Sequence, residues 1–585
     1  MQADRRRTGT GQGYLGGAVI LTAGTLAVKA VGMFFKIPLQ ALLGGSGYAY
    51  FGTAYHMFGP LSALATAGLP VAVAALVSRY RAEGRWQDVR QLLRLSRRMF
   101  WAAGLCGALG MLLGAGAFAR AACSPGAKLA IWCMAPAVLT CCVLSSYRGY
   151  YQGLGNMLPT SLSQVAEAVA KVVLGLSLTG WARAELVGEY RRFGTVLGRS
   201  LSAGQAASAI SQLTAAAAVT GVTLSTVAGC VFLGLRHRLR GDGISSEAVR
   251  AAPPPQPAEQ MIRAVLRLGL PVCLASLAAS AGGLIDSLTI QNRLAQVMEQ
   301  APQVLLAQYG ALLGPGHAEA GTVHTELYGY YLGIAENLSN MVVSLTAGFA
   351  VSALPMVAAA WARGDRRRRE ESVGTVLRVT ALVSVPAGMG LCALAQPVAS
   401  LFYGGDPEGV AIAAPLLSVL GIGGIFLALT GSLNSVLQAA GQPGAPVVVL
   451  LAGSGIKLAV NYFGIAQPQW NIRAAPAATL CGYGLAFFLG LWLLRRRTGV
   501  RCRAGELLAK PVLAGVLCAG TARLLWELLH PIWPSALAVL PCAAAGAAVY
   551  AGAILLLRGI RRQEALLLPG GEKLAEILAK RALLG

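Results

Sequence analysis

RGYYQGLGNMLPTSLSQVAEAVAKVVLG, residues 148–175, decides how the chain is read because it comes back: residues 438–461 run QAAGQPGAPVVVLLAGSGIKLAVN. In each copy a glutamine (Gln152, Gln438) is followed three positions on by glycine (Gly155, Gly441), then by an amide, a proline and an apolar run that carries one lysine. Lys171 follows Gln152, and Lys457 follows Gln438, by the same 19 positions. A polar turn and a charged residue repeating at fixed spacing in apolar surroundings are the signature of a chain built twice. A second register agrees: Tyr48, Tyr50 and Thr66-Ala67-Gly68 match Tyr328, Tyr330 and Thr346-Ala347-Gly348 at an offset of 280 positions, and His56 matches Glu336 at that same offset.

With 55% hydrophobic and 12% charged residues among 585, the chain falls well below the ~25% charge of ordinary soluble domains. There is too little polar surface to cover soluble domains, so the expectation is a membrane protein. A helix needs about 20 apolar residues to cross the hydrocarbon layer. Division at the polar breaks predicts about fourteen such spans, the first centred near Leu26 and the last near Ala547. The basic stretch Met1 to Thr10 leads into an apolar run too long for a removable signal peptide, and we read it as an uncleaved first span. The formal charge of +24 would point to nucleic acid in a soluble protein. Here it sits in alternate connections: Arg79 to Arg98, Arg236 to Arg267, Arg363 to Arg369, and Arg495 to Arg503. That pattern predicts those loops and both termini to be cytoplasmic. The 12 cysteines lie mostly in apolar stretches without metal-ligand spacing and read as small apolar fillers.

Arg236 to Gln260, with GDG and APPPQP, reads as a flexible cytoplasmic linker between two halves. The expected organisation is an N-terminal six-helix lobe over 1–240, a linker over 241–262 and a C-terminal six-helix lobe over 263–500. An extra helix pair over 501–560 and a cytoplasmic or interfacial tail over 561–585 follow. An even number of spans per half makes the two repeats parallel. The fold class is therefore an all-α polytopic membrane protein of two parallel six-helix lobes plus two additional C-terminal helices.

Charges inside apolar spans cost roughly 2.5–3.5 kcal/mol each on insertion scales, so they face cavities or partners. Lys29 and Lys36 share one face of the first span, and Lys171 and Lys457 are the repeat lysines. Against them stand Glu167, His56, Asp286 and Glu336. Glu167 and Lys171, at i and i+4, either neutralise one another or both line a cavity; Lys36 either lines it or snorkels to the interface. The candidate set for a shared central cavity is Lys29, Lys36, His56, Lys171, Asp286, Glu336, Asn337, Lys457 and Asn461. Ammonium groups in such a cavity call for an anionic cargo, phosphate above all. No nucleotide-binding loop, metal-spaced His/Cys cluster or serine elbow accompanies them. A transporter is therefore expected rather than an enzyme, with no catalytic residue, no metal and no cofactor; coupling to protons, sodium or the membrane potential stays open.

The stretch 148–175 closely resembles the fourth-to-fifth-helix segment of the stage V sporulation protein B group of polysaccharide transport proteins. That group shares a superfamily with MurJ-type lipid II flippases, O-antigen flippases and multidrug and toxin extrusion antiporters, and the resemblance extends over essentially the whole chain. It implies paired six-helix lobes around a cavity that opens alternately to each side. The implied cargo is a lipid-linked oligosaccharide, its diphosphate in the cavity and its polyprenyl tail along a groove bordered by the extra helices. MurJ-type cavities are rich in arginine where this chain offers lysine. The implied function is an undecaprenyl-diphosphate-linked cell-wall precursor flippase, monomeric, in the cytoplasmic membrane, with cell-wall synthesis enzymes as candidate partners and no nucleic acid. The alternative is a cation-coupled multidrug antiporter, with Asp286, Glu336 and Glu167 as ion sites.

Overall fold

The repeated turn is built from the same hydrogen bonds in both copies. In the first, Gly155 N–H donates to the carbonyl of Gln152 (2.9 Å) and Asn156 N–H to that of Tyr151 (3.0 Å); in the second, Gly441 donates to Gln438 (3.0 Å) and Gln442 to Leu437 (3.0 Å). Gly155 and Gly441 adopt φ of +73° and +75°, the left-handed conformation that ends a helix with two orphan carbonyls satisfied. In each copy a proline then sits in the first turn of the next helix, where its missing N–H costs nothing. The duplication seen in the residues is thus a duplication of backbone.

A computed structural model describes residues 14–313, 321–362, 365–502, 504–533 and 535–560; the basic N-terminal stretch and the tail 561–585 lie outside the described residues. The chain divides into two compact units, one ending at Gln291 and one starting at Asn292. The first contains α1 (Tyr14–Ala63), α2 (Leu69–Ala82), α3 (Trp86–Ala121), α4 (Ala127–Gly153), α5 (Leu158–Phe193), α6 (Ala203–Arg240) and the short α7 (Ser246–Ala251). Helix α8 (Ala258–Gln300) begins in this unit and ends in the second. Between α5 and α6 a two-stranded hairpin, Thr195–Val196 with Arg199–Ser200, closes the connection.

The second unit continues with α9 (Pro302–Leu313), α10 (Val323–Tyr330), a π-helical turn (Tyr331–Glu336), α11 (Asn337–Ala362), α12 (Arg366–Ala393), α13 (Ala395–Tyr403), α14 (Pro407–Ala439), α15 (Ala445–Gly464), α16 (Ala474–Thr498), α17 (Ala504–Leu529) and α18 (Ser535–Leu556). Among the described residues 12 stretches are long and apolar enough to cross a membrane. Two differences separate this from the fourteen expected spans. The first two spans run on through α1, broken only at Gly44 (φ 66°, ψ −171°). The eighth, α10 to α11, is not among the 12. The surface is inverted relative to a soluble protein: Leu113, Val173, Phe463 and Leu556 on the spans are exposed while the helices pack through alanine and glycine. This is a multi-pass membrane fold.

Each unit repeats a second contact. Tyr50 and Tyr330 are both buried. A Cβ on Gly126, just before α4, would lie 2.6 Å from the Tyr50 ring, and one on Gly409, in the first turn of α14, 2.4 Å from the Tyr330 ring. The tyrosines matched by sequence therefore sit on glycines at the starts of matched helices.

Residues 241–257, read as a linker from their glycines and prolines, are tied to α3 in the first unit. Gln87 Nε2 donates to the carbonyls of Val249 (3.2 Å) and Ala252 (3.1 Å), Gln91 Nε2 to that of Gln256 (3.2 Å), and Gln256 N–H to Asp88 Oδ1 (2.7 Å). In the second unit the added helices α17 and α18 pack on each other and on α12, with Leu382, Ala514, Cys518, Tyr550 and Ile554 in one buried cluster.

Candidate functional site

In the first unit α1, α4 and α5 enclose a pocket of about 250 Å³. Lys29, Gly32 and Phe35 recur at a three-residue spacing and so share a face of α1; Arg148 comes from the end of α4, and Gln164, Glu167 and Lys171 from successive turns of α5. Arg148 Nη2 donates to Glu167 Oε2 at 2.8 Å, and Arg148 Nε to Ser163 Oγ at 3.0 Å. Glu167 is therefore held by an arginine on another helix, and the i, i+4 neutralisation of Lys171 is not what forms.

Lys171 Nζ instead donates to Tyr55 Oη at 2.7 Å. It lies 5.1 Å from the Tyr55 ring centroid and 5.2 Å from that of Phe35. Two aromatic faces and a hydroxyl oxygen stabilise an ammonium without neutralising it. Lys29 is exposed and takes no partner among the described residues. Three cations thus meet one carboxylate at this pocket, a surplus of positive charge that suits an anion.

Other candidates lie elsewhere. Lys36 is half-buried, is already engaged, and does not line the pocket. His56 packs on α8, where a Cβ at Gly283 would lie 3.0 Å from His56 Cδ2, and Asp286 is 2% exposed one turn further on. Both are engaged. Nearby Gln291 Nε2 donates to Thr53 Oγ1 (3.0 Å), fixing this part of α8 against α1.

In the second unit Lys457 (7% exposed) and Asn461 lie one turn apart on the buried face of α15. Glu336 closes the π turn, and its Oε2 is shielded from solvent without a hydrogen bond among the described residues. Asn337 Nδ2 donates to Tyr403 Oη (2.8 Å), which donates to the Gly333 carbonyl (3.0 Å). This chain bridges the turn to α13.

Arg148 is the site residue missed in the sequence reading. It stood first in the stretch that was quoted, but at a helix end, where arginine reads as topology. The signal available was its place 19 residues before Glu167, the one acid of the repeat segment.

A further space of about 520 Å³ lies within the second unit, between α11 and α12 on one side and α17 and α18 on the other. Its walls are almost wholly apolar and include Leu338, Leu382, Pro386, Cys518, Ala547 and Tyr550. The added helices therefore border a greasy groove. Among the described residues no group of three or more His, Cys, Asp or Glu could hold a metal ion.

A family described as "Polysaccharide biosynthesis protein" matches residues 14–361, more than half of the chain. The chain belongs to that family. A second family, MatE, matches residues 331–463. Among curated relatives, the lipid II flippase MurJ of Bacillus subtilis (strain 168) is 24% identical over 83% of this chain and 83% of its own length. Stage V sporulation protein B of the same organism is 28% identical over 28% of this chain and 32% of its own. Among solved structures, the lipid II flippase MurJ in an inward closed conformation has a TM-score of 0.58 at 13% identity, covering 92% of this chain and 98% of its own. An inward-facing multidrug resistance MATE family transporter of the MOP superfamily has a TM-score of 0.61 at 16% identity, covering 82% and 98%. The fold is that of this superfamily, as the resemblance implied.

Proposed function

We propose that the chain is a flippase moving an undecaprenyl-diphosphate-linked cell-wall precursor, lipid II or a related polysaccharide intermediate, across the cytoplasmic membrane by alternating access. The observation that carries this is the pocket of the first unit, where Lys29, Arg148 and Lys171 face a single carboxylate. A diphosphate has the charge and the forked oxygens that ammonium and guanidinium groups bind. Lys457 and Asn461 are the matching candidates on α15. The apolar groove beside α17 and α18 supplies what the other end of such a cargo needs, a lipid-like surface for the prenyl chain. The similarity to MurJ over most of both chains supports the same reading. The basic connections support cytoplasmic termini.

The test is transfer of fluorescent lipid-linked precursor in proteoliposomes. Lys171→Gln with Lys457→Gln should abolish it, and normal transfer by that double variant would overturn the assignment. The MatE match over 331–463 favours a second reading, export of amphipathic cations. That activity would survive loss of the two lysines and fail on Glu336→Gln.

A further inference from the structure

A second cavity of the first unit, about 590 Å³, lies at the ends of α3 and α6 and shares no residue with the pocket above. Its walls include Gln87, Arg90, Arg94 and Arg97 on α3, His237 at the end of α6 and Asp242 in the segment that follows, with Leu93, Val249 and Pro255 as apolar lining. The three arginines are spaced at four and three residues and so line one helical face.

The segment 241–256 forms the far wall, and most of its polar groups are committed to holding it there. Arg90 Nη2 donates to the Ile244 carbonyl (3.2 Å). Tyr150 Oη donates to Asp242 Oδ2 (2.9 Å), and Tyr151 Oη donates to the Gly241 carbonyl (3.1 Å) and lies 3.0 Å from His237 Nδ1. Asp242, the one carboxylate on the wall, is also 3.6 Å from Arg90. Arg90 and Asp242 therefore offset each other. Arg97 makes one long contact, Nη1 to Tyr147 Oη at 3.4 Å, and Arg94 takes no partner among the described residues. Two guanidinium groups a turn apart are left facing the cavity.

An excess of arginine in a cytoplasmic loop is ordinary, and elsewhere in this chain it is handled differently. Arg366, Arg367 and Arg368 at the start of α12 pair with Glu370 (3.3 Å), Glu371 (3.1 Å) and Asp365 (3.4 Å) on an exposed face. At α3 the surplus instead lines an open cavity. Its volume is in the range of small-molecule sites, ~300–1,000 Å³.

From this we propose a binding site for a phosphate-bearing ligand, either the headgroup of an anionic phospholipid or a soluble phosphate ester, clasped by Arg94 and Arg97 under residues 241–256. Guanidinium forks match two phosphate oxygens at once, which an ammonium cannot do. The site is independent of the cargo pocket, so it stands or falls apart from the flippase reading.

The test uses the full chain in nanodiscs and reads thermal stabilisation. One arm adds pyrophosphate to phosphatidylcholine discs; the other replaces part of the phosphatidylcholine with phosphatidylglycerol. A saturable shift in the first arm that persists in Lys29→Gln with Lys171→Gln, and so does not come from the cargo pocket, identifies a soluble ligand, and a shift in the second arm alone identifies a lipid. In either case Arg94→Gln with Arg97→Gln should weaken the response by about tenfold or more. Arg94→Lys, which keeps the charge and loses the fork, should fall between, and it serves as the test if the double variant does not fold. Arg366→Gln with Arg367→Gln removes equal charge from an exposed face and should leave the response intact. Absence of a shift in both arms, or equal loss in the two double variants, would overturn the proposal.

Discussion

The Arg148–Glu167 pair makes the most demanding prediction, because its two halves should move binding in opposite directions while moving stability in one. Their side chains are 14% and 26% exposed, between a surface pair worth less than ~1 kcal/mol and a buried one whose disruption costs ~3–5 kcal/mol. Loss of either partner should therefore destabilise the fold by about 2 kcal/mol. For an anion in the pocket the two differ in sign. Glu167→Gln leaves three cations and no carboxylate; Arg148→Gln leaves two cations and one carboxylate, now free to pair with Lys171 one turn along α5. A unit charge ~5 Å from a unit charge at an effective dielectric constant of ~20 is worth about 3 kcal/mol. Water and salt at the pocket's open side reduce this to roughly 1.5 kcal/mol, about tenfold in affinity. The measurement is equilibrium binding of a fluorescent lipid-linked precursor to each variant in nanodiscs, with melting followed in parallel. Glu167→Gln should bind about tenfold tighter and Arg148→Gln about tenfold weaker, although both melt earlier. Affinity changing in the same direction in the two variants would mean that the pair only braces α4 against α5, and the electrostatic reasoning would fail.

Three other outcomes follow from the geometry. A Cβ on Gly221 of α6 would lie 2.5 Å from Gly175 Cα, a backbone atom that cannot step aside, so Gly221→Val should cost about 3 kcal/mol or more; Gly110→Ala, with nothing within 4 Å, should leave melting in detergent unchanged or slightly higher. Ala547→Trp should fill the groove between α12 and the added helices, cutting transfer of long-prenyl cargo severalfold while leaving pyrophosphate binding unchanged. Asp406 caps α14 just outside its span, Oδ1 accepting from Gly409 N–H at 2.9 Å. Burial first, then Glu326 and Glu408, hold its carboxyl above the ordinary 3.8 against the lowering effect of the Gly409 amide. Because the folded pKa is the higher one, the folded state binds more protons in that window, and stability is lost as pH rises through it. Asp406→Asn, which still caps, should flatten that dependence in melting scans from acid to neutral pH.

The parts of this fold that were readable in sequence are those set by local chemistry. Span count follows from apolar length, and the duplication follows from a turn that only glycine makes cheaply, so Gly155 and Gly441 marked both. What escaped was set by packing. A single left-handed residue, Gly44, divides α1 at the break expected between the first two spans, one residue standing where a loop was expected. Glu167 has a lysine one turn away on its own helix, and that neighbour was visible; its actual partner arrives from α4, at a distance along the chain where periodicity carries no information. The Gly and Pro content of 241–257 was read as slack, yet the glutamines and acid that tie it down, Gln87, Gln91 and Asp88, lie on α3.

The two copies of the lysine are held by different means, and this bears on which of them meets cargo. Lys171 lines an open pocket, with Tyr55 Oη as its hydrogen-bond partner and two rings beside it, so its charge remains available to an arriving anion. Lys457 is buried at the contact of α15 and α16. There a Cβ on Gly482 would lie 2.8 Å from the Gly453 carbonyl oxygen and 3.1 Å from Lys457 Cβ. The stem of that lysine is part of a helix–helix seam in which backbones nearly touch, an arrangement that small residues make possible in lipid. The spacing from turn to lysine is the same in both copies. The surroundings then diverged, leaving the first copy with an open ammonium and the second with a packed one.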